Sequence, residues 1–233
     1  TTLPEPEKVI ATATISAQGD LLMHKPIFDD RSVVKQDDGS YDFSPIFKYF
    51  SETLKSYDYA IANLETTFGG DGFPYQGNPA FNCPDPFLDS VVDAGYDMLL
   101  TANNHSYDTL MTGITRTLEQ VRGAGLGTIG TRLSEEEPRW SMVEVNGIKI
   151  GMLCYTYDTG TEDPETIALN GITLTKEDSK LVNSFDYNEL DIFYADVEEN
   201  MAQMAEDGAE AVMLYIHWGE EYQLQANSSQ KAI

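Results

Sequence analysis

Apolar and small polar residues alternate along "VIATATISAQGD", a stretch rich in β-branched side chains, which predicts a strand over Val9 to Ala17 ending at Gly19-Asp20. In "SPIFKYFSETLKSY", Ser44 suits an N-cap, Pro45 suits the first helical position, and Ile46, Phe47, Phe50 and Leu54 form one apolar face, so a helix is expected. A short buried strand follows, Tyr59 to Asn63, and then a loop rich in Gly, Pro and aromatic residues. Asp85-Pro86 opens a second helix that stops at Gly95, and "YDMLLTA" reads as a third strand. Leu110 to Arg122 reads as a helix ended by Gly123, with a short strand around Gly127 to Gly130.

The pattern changes after that. Two alternating runs flank Asn146-Gly147 in "WSMVEVNGIKIGMLCYTY", the signature of a tight positive-φ hairpin. Residues 158–188 are polar without clear period and read as a long insertion of functional or mobile kind. "ELDIFYADVEENMAQMAEDG" is a helix, and "AEAVMLYIHWG" is a strand ending at His217. Strands alternating with helices argue for an α/β layered fold, and the hairpin argues for a mixed sheet. The expected organisation is a linker over residues 1–8 and a single domain over 9–233. The strand-helix series is expected to run on past Ile233.

Charge narrows the function. Asp and Glu number 39 against 14 Lys and Arg, a net charge of −25 that repels phosphate backbones and makes nucleic acid an unfit partner. It also disfavours anionic membrane surfaces, and most of it reads as a solvated surface. The two cysteines, Cys83 in a Pro-rich loop and Cys154 in an apolar run, allow one bridge or two free thiols. No apolar run approaches the roughly 20 residues of a membrane span. The opening "TTLPEPEK" reads as a linker of the kind that follows a removed signal or lipid anchor, or as a cloning boundary.

Chemistry gathers at the strand ends. Asp20, Glu65, the Asn104-His105 pair in "TANNHSYD" and His217 each sit just past a predicted strand, at four separate junctions. In open α/β sheets that edge forms the ligand crevice. Carboxylate, amide and imidazole donors suit one or two divalent ions such as Mn, Fe, Zn or Mg. All three histidines of the chain, His24, His105 and His217, lie in or near these junctions. Each residue alone has a plainer reading: Asp20 as a helix cap, Glu65 as a surface carboxylate, the Asn-Asn-His loop as a turn, His217 as a core histidine. His24 stands either beside Asp20 or in the following loop. The aromatic loop from Phe68 to Phe81 is expected to wall the site. No G-x-S-x-G elbow is present, and neither cysteine has an evident histidine partner, which disfavours a serine or cysteine hydrolase.

"GDLLMH" at 19–24, "ANLETTF" at 62–68, "TANNHSYD" at 101–108 and "HWGEEY" at 217–222 occur in an order and spacing that resemble the bacterial capsule-synthesis protein CapA family. That family is associated with poly-γ-glutamate capsules and is similar to the calcineurin-like metallophosphoesterases. The resemblance implies a four-layer α-β-β-α sandwich with mixed sheets, C-terminally shortened here. It implies Asp20 as a ligand of one metal, Glu65 as the bridging carboxylate, Asn104 as the amide ligand, His217 as the histidine ligand, and His105 as the acid. Three departures accompany it. Leu22 stands where the family has histidine, with His24 as the substitute candidate. The bridging carboxylate is Glu rather than Asp. The family's closing Gly-x-His-Pro-His segment is not among these 233 residues.

Two function classes follow. In the first, the chain is a metal-dependent, phosphoesterase-like hydrolase of capsule biosynthesis acting at the cell surface, anchored through a removed N-terminal segment. His105 handles the proton, Asp108 orients it, and the partners are an anionic capsule polymer or small phosphoester and a membrane capsule-synthesis complex. In the second, the same crevice binds or guides an anionic polymer without turning it over.

Overall fold

Two four-stranded sheets carry the fold in the computed structural model, which describes residues 10–29, 31–161 and 166–233. The first sheet is all parallel, in the order β1 (Ile15–Asp20), β2 (Tyr59–Asn63), β3 (Met98–Leu100), β4 (Gly127–Ile129). The second is mixed. The hairpin strands β5 (Ser141–Val145) and β6 (Ile148–Tyr157) pair antiparallel, and β10 (Ala211–His217) lies parallel to β6 on its other side. A short strand β9 (Ser184–Phe185) also pairs with β6, between β7 (Ala168–Leu169) and β8 (Ile172–Thr173) in the chain and β10.

Side-chain alternation assigns the layers. Ile61 of β2, Met98 and Leu100 of β3, and Ile150, Met152 and Cys154 of β6 fill a core between the sheets. The alternate residues Ala60, Ala62 and Leu99 face the other way, onto the helices α1 (Ser44–Phe47), α2 (Ser51–Leu54) and α3 (Pro86–Ala94) and the end of α4 (Leu110–Gly123). On the second sheet Leu153 and Tyr155 face outward onto Phe193 and Met204 of α6 (Leu190–Glu206). Residues two apart share a face, so a strand buried on both sides is apolar along its buried run, as β6 is from Ile150 to Tyr155. The result is the four-layer α-β-β-α sandwich that the sequence led us to expect.

Several local expectations are corrected. The first strand begins at Ile15, not Val9; residue 9 and the linker over 1–8 lie outside the described residues. The helix expected from Ser44 onward is two four-residue helices, α1 and α2. Ser44 is not a cap: it lies inside the first turn, and its N–H donates to Asp42 Oδ1 at 2.9 Å. The stretch 158–188 is not structureless where described. It holds the β7–β8 hairpin turning on Asn170-Gly171, both at positive φ, a four-residue helix α5 (Lys176–Ser179), and strand β9. Leu169, Leu174 and Val182 bury this segment against Ile114 and Leu118 of α4. The Asn146-Gly147 hairpin forms as expected, with φ of 53° and 80°. A further helix, α7 (Ser228–Ala232), follows the last strand and was not anticipated.

Candidate functional site

A β-bulge starts the site. β1 and β2 are in register from Ile15 opposite Tyr59 to Gln18 opposite Ala62, and then Gly19 is skipped so that Asp20 faces Asn63. The extra residue re-aims Asp20 at its neighbour strand, a common use of bulges beside functional sites. Asn63 Nδ2 donates to Asp20 Oδ1 at 2.7 Å. No regular helix follows Asp20 at once, and the short 3-10 turn at Lys25–Ile27 is capped by His24, so Asp20 is not serving as a helix cap.

Glu65 comes two residues after β2 and is buried, only 6% exposed. His217 is the last residue of β10 in the other sheet. Ligand atoms of Asp20, Glu65 and His217 lie within 4.8 Å of one another. His217 Nδ1 is 3.8 Å from Asp20 Oδ1, and its Nε2 is 3.8 Å from Glu65 Oε1. Asn104 joins them: its Oδ1 is 2.8 Å from His217 Nε2. The Tyr157 ring lies nearly parallel to the imidazole of His217, 6.3 Å away.

His105 borders this group. Its Nε2 is 3.9 Å from Glu65 Oε1, and its Nδ1 is 2.8 Å from Asp108 Oδ2. The Asp108 side chain has no exposed surface and meets three donors: His105 Nδ1, the Phe81 N–H at 2.5 Å, and Asn170 Nδ2 at 2.9 Å. A carboxylate accepting from Nδ1–H fixes the tautomer and leaves Nε2 facing the crevice. Phe81 stands edge-on to the His105 ring at 4.5 Å.

The electrostatics favour a cation. Burial first, and then the charge of Asp20, push the Glu65 carboxyl up to about 8. Burial also pulls His217 down despite the neighbouring Asp20, which favours the neutral imidazole with one ring nitrogen free to act as a ligand. Two carboxylates, a neutral imidazole and an amide oxygen are a fitting donor set for a divalent ion of the Mn, Fe, Zn or Mg type. Two donors bound about 2.1 Å from one ion at right angles lie about 3 Å apart, so the contact between Asn104 and His217 also suits neighbours in one coordination shell.

The predicted residues separate into groups. Asp20, Glu65, Asn104 and His217 converge, and His105 with Asp108 adjoins them. His24 is exposed, packs against Phe81 at 5.1 Å between ring centroids, and is not among the three groups that converge. The aromatic loop divides likewise: Phe81 lines the site, whereas Phe68 is buried in the helix-side core. Cys83 and Cys154 are both buried and free.

Asn63 and Asn103 are among the residues that escaped the sequence reading. Asn63 Nδ2, with two hydrogens, faces three acceptors: Asp20 Oδ1, Glu65 Oε2 at 3.5 Å and His217 Nδ1 at 3.3 Å. Asn103, fully buried, donates to Asn63 Oδ1 at 3.0 Å and to Leu64 O at 2.8 Å, and accepts from the His105 N–H. The signal was available for Asn63, a polar residue closing an apolar strand.

The chain is 25% identical over 231 residues to "Capsule biosynthesis protein CapA" of Bacillus anthracis, covering 94% of this chain and 50% of that protein. It is 24% identical over 197 residues to "PGA biosynthesis protein CapA" of Bacillus subtilis (strain 168), covering 81% of this chain and 46% of that one. The chain thus spans about half the length of the curated relatives it matches. Residues 14–233 match the family model described as bacterial capsule synthesis protein PGA_cap, and the chain belongs to that family.

Proposed function

We propose that this chain is a metal-dependent, phosphoesterase-like hydrolase of capsule biosynthesis of the poly-γ-glutamate type, acting outside the cytoplasm. The observation that carries the reading is the convergence of Asp20, Glu65 and His217 from three strand ends in two sheets, with their ligand atoms within 4.8 Å. Asp20, Glu65, Asn104 and His217 would hold the ion, or two ions with Glu65 between them. A divalent ion there would supply Lewis-acid polarisation of an ester oxygen and lower the pKa of a water.

The chain's own residues do the rest. Asp108 and the bonds behind it hold His105 so that Nε2 faces Glu65 and the crevice, the position from which the doubly protonated ring would donate to a departing oxygen. Phe81 and the Tyr157 ring shield His105 and His217 from bulk water. Asn63 orients Asp20 and, through Asn103, ties β2 to the loop bearing His105. The capsule description of the family supports placing the work at the cell surface. Among the described residues no helix is long and apolar enough to cross a membrane.

A second reading, binding or guiding an anionic capsule polymer without turnover, is favoured by Asn63. Its amide group hydrogen-bonds within the donor set and partly satisfies it with no ion bound. Hydrolysis of bis-p-nitrophenyl phosphate with Mn present separates the two. The hydrolase reading expects turnover that His105→Ala reduces while metal binding persists. Absence of turnover, with poly-γ-glutamate binding that depends on Mn, would leave the second reading standing and remove the first.

A further inference from the structure

At the edge of the sandwich away from β1 and β10, the edge strands β4 and β5 flank a cavity of about 270 Å³. Its walls include Arg122, Arg132 and Arg139, three of the few arginines in a chain of net charge −25, and Glu137 is its one acidic wall residue among those described. Such a concentration of guanidinium groups in so acidic a chain needs a physical reason.

Two of the arginines, Arg132 and Arg139, are under-satisfied. Among the described residues four buried side-chain polar atoms have no hydrogen-bond partner, and three gather here: Arg132 Nε, Arg139 Nε and Asn183 Oδ1, the last on a side chain whose Nδ2 donates to Arg139 O at 2.8 Å. Arg132 is only 6% exposed. Among the described residues its one side-chain hydrogen bond runs from Nη2 to the carbonyl of Lys180, and no carboxylate pairs with it. Buried arginine is ordinarily paired, because five donors and a full charge lose their hydration on burial.

The carboxylates nearby are committed elsewhere. Glu137 accepts from Arg122 at 2.8 Å, and Glu135 pairs with Lys180 at 3.1 Å. Asp196 Oδ2 accepts from the Tyr155 hydroxyl at 2.6 Å and is a longer 3.4 Å from Arg139. Burial, and next the charge of Arg139, hold the Arg132 guanidinium below its ordinary value, with Asp196, Glu135 and Glu137 opposing only in part.

We propose that this cavity is an oxyanion-binding site, in which Arg132 and Arg139 take one carboxylate or phosphate group of an anionic ligand. Guanidinium forks match both groups through paired N–H···O bonds. A neighbouring cavity of about 390 Å³ shares Arg132 and Arg139 but is walled by Glu135, Glu136, Glu137, Asp196 and Glu199, so an anion is directed to the β4–β5 side. The site is independent of the acidic crevice at the strand ends and stands whether or not that crevice binds metal.

Calorimetric titration of the full chain, freed of divalent ions by EDTA, with inorganic phosphate and separately with glutarate tests this. Saturable one-to-one binding of either is expected, phosphate pointing to a phosphorylated ligand and glutarate to a carboxylate one. Arg132→Gln and Arg139→Gln should each weaken it by about tenfold or more, while Asp20→Asn leaves it unchanged. Should Arg132→Gln fail to fold, the partly exposed Arg139, 31% open at its side chain, carries the same comparison. No saturable binding of either anion, or equal binding by Arg139→Gln, overturns the proposal and leaves water as the partner of these donors.

Discussion

Asn104, in the turn after β3 of the first sheet, and His217, the last residue of β10 in the second, lie 113 positions apart, yet Asn104 Oδ1 and His217 Nε2 are 2.8 Å from each other. That contact joins the two halves of the sandwich at the end where their strands terminate. It makes the crevice a product of sheet packing rather than of any one loop. Whatever separates the sheets there disperses the donor set.

Asn63→Ala removes the amide that orients Asp20 and bridges to Asn103. Outer-shell partners of this kind are worth about 10–100-fold in metal affinity. Titration with Mn should show a loss in that range without loss of the folded state, and an unchanged affinity would deny Asn63 its orienting role.

Asn170→Ala breaks bonds to Asp108 at 2.9 Å and to the Pro79 carbonyl at 2.6 Å. The buried acceptors left behind should cost about 1–3 kcal/mol, seen as a lower Tm. An unchanged Tm would show that these two bonds add nothing to the folded state.

Glu65 makes the metal-free protein sensitive to alkali. Its carboxyl is raised from the ordinary 4.5 to about 8, so between those values the folded chain keeps a proton that the unfolded chain has released. Stability from this group is complete below the lower value and is lost as pH rises through the upper one. Urea unfolding across this window in EDTA should show wild type losing stability relative to Glu65→Gln as pH rises, and saturating Mn should remove the difference in slope. A wild-type curve parallel to that of Glu65→Gln contradicts the assignment.

Gly130 supports the loop that bears Asn104 from below. Its φ is +115°, and a Cβ there would stand 2.6 Å from the Ala102 nitrogen and Cβ. Neither backbone nor methyl can swing aside as a long side chain would, so Gly130→Ala should cost about 2 kcal/mol or more. For a chain of this length that is about 4–8 °C in Tm, accompanied by weaker metal binding because Ala102 must shift.

How far the sequence carried the account depended on range. Polar residues closing apolar runs announced Asp20, Glu65 and His217, since alternation fixes where a strand stops and what it presents there. The hairpin at Asn146-Gly147 was equally local. The hub role of Asn63 was hidden because its importance lies in three acceptors supplied by two other strands and its own loop. Asn170 was hidden for the same reason, reaching Asp108 across 62 positions. His24 stayed open between Asp20 and the following loop, because only the fold shows that the chain after β1 enters a short 3-10 turn that sets its ring against Phe81. The single helix expected from Ser44 breaks at Phe50, whose φ of −118° departs from the helical value, and Ile46 and Phe50 of the expected apolar face are 41% and 38% exposed.

Metal content tests the central claim most directly: elemental analysis of protein purified without chelators, repeated after dialysis against Mn, for wild type and His217→Ala. The account predicts about one or two equivalents of a divalent ion in wild type and a marked loss in His217→Ala. Less than about a tenth of an equivalent in wild type, even after Mn, would contradict it.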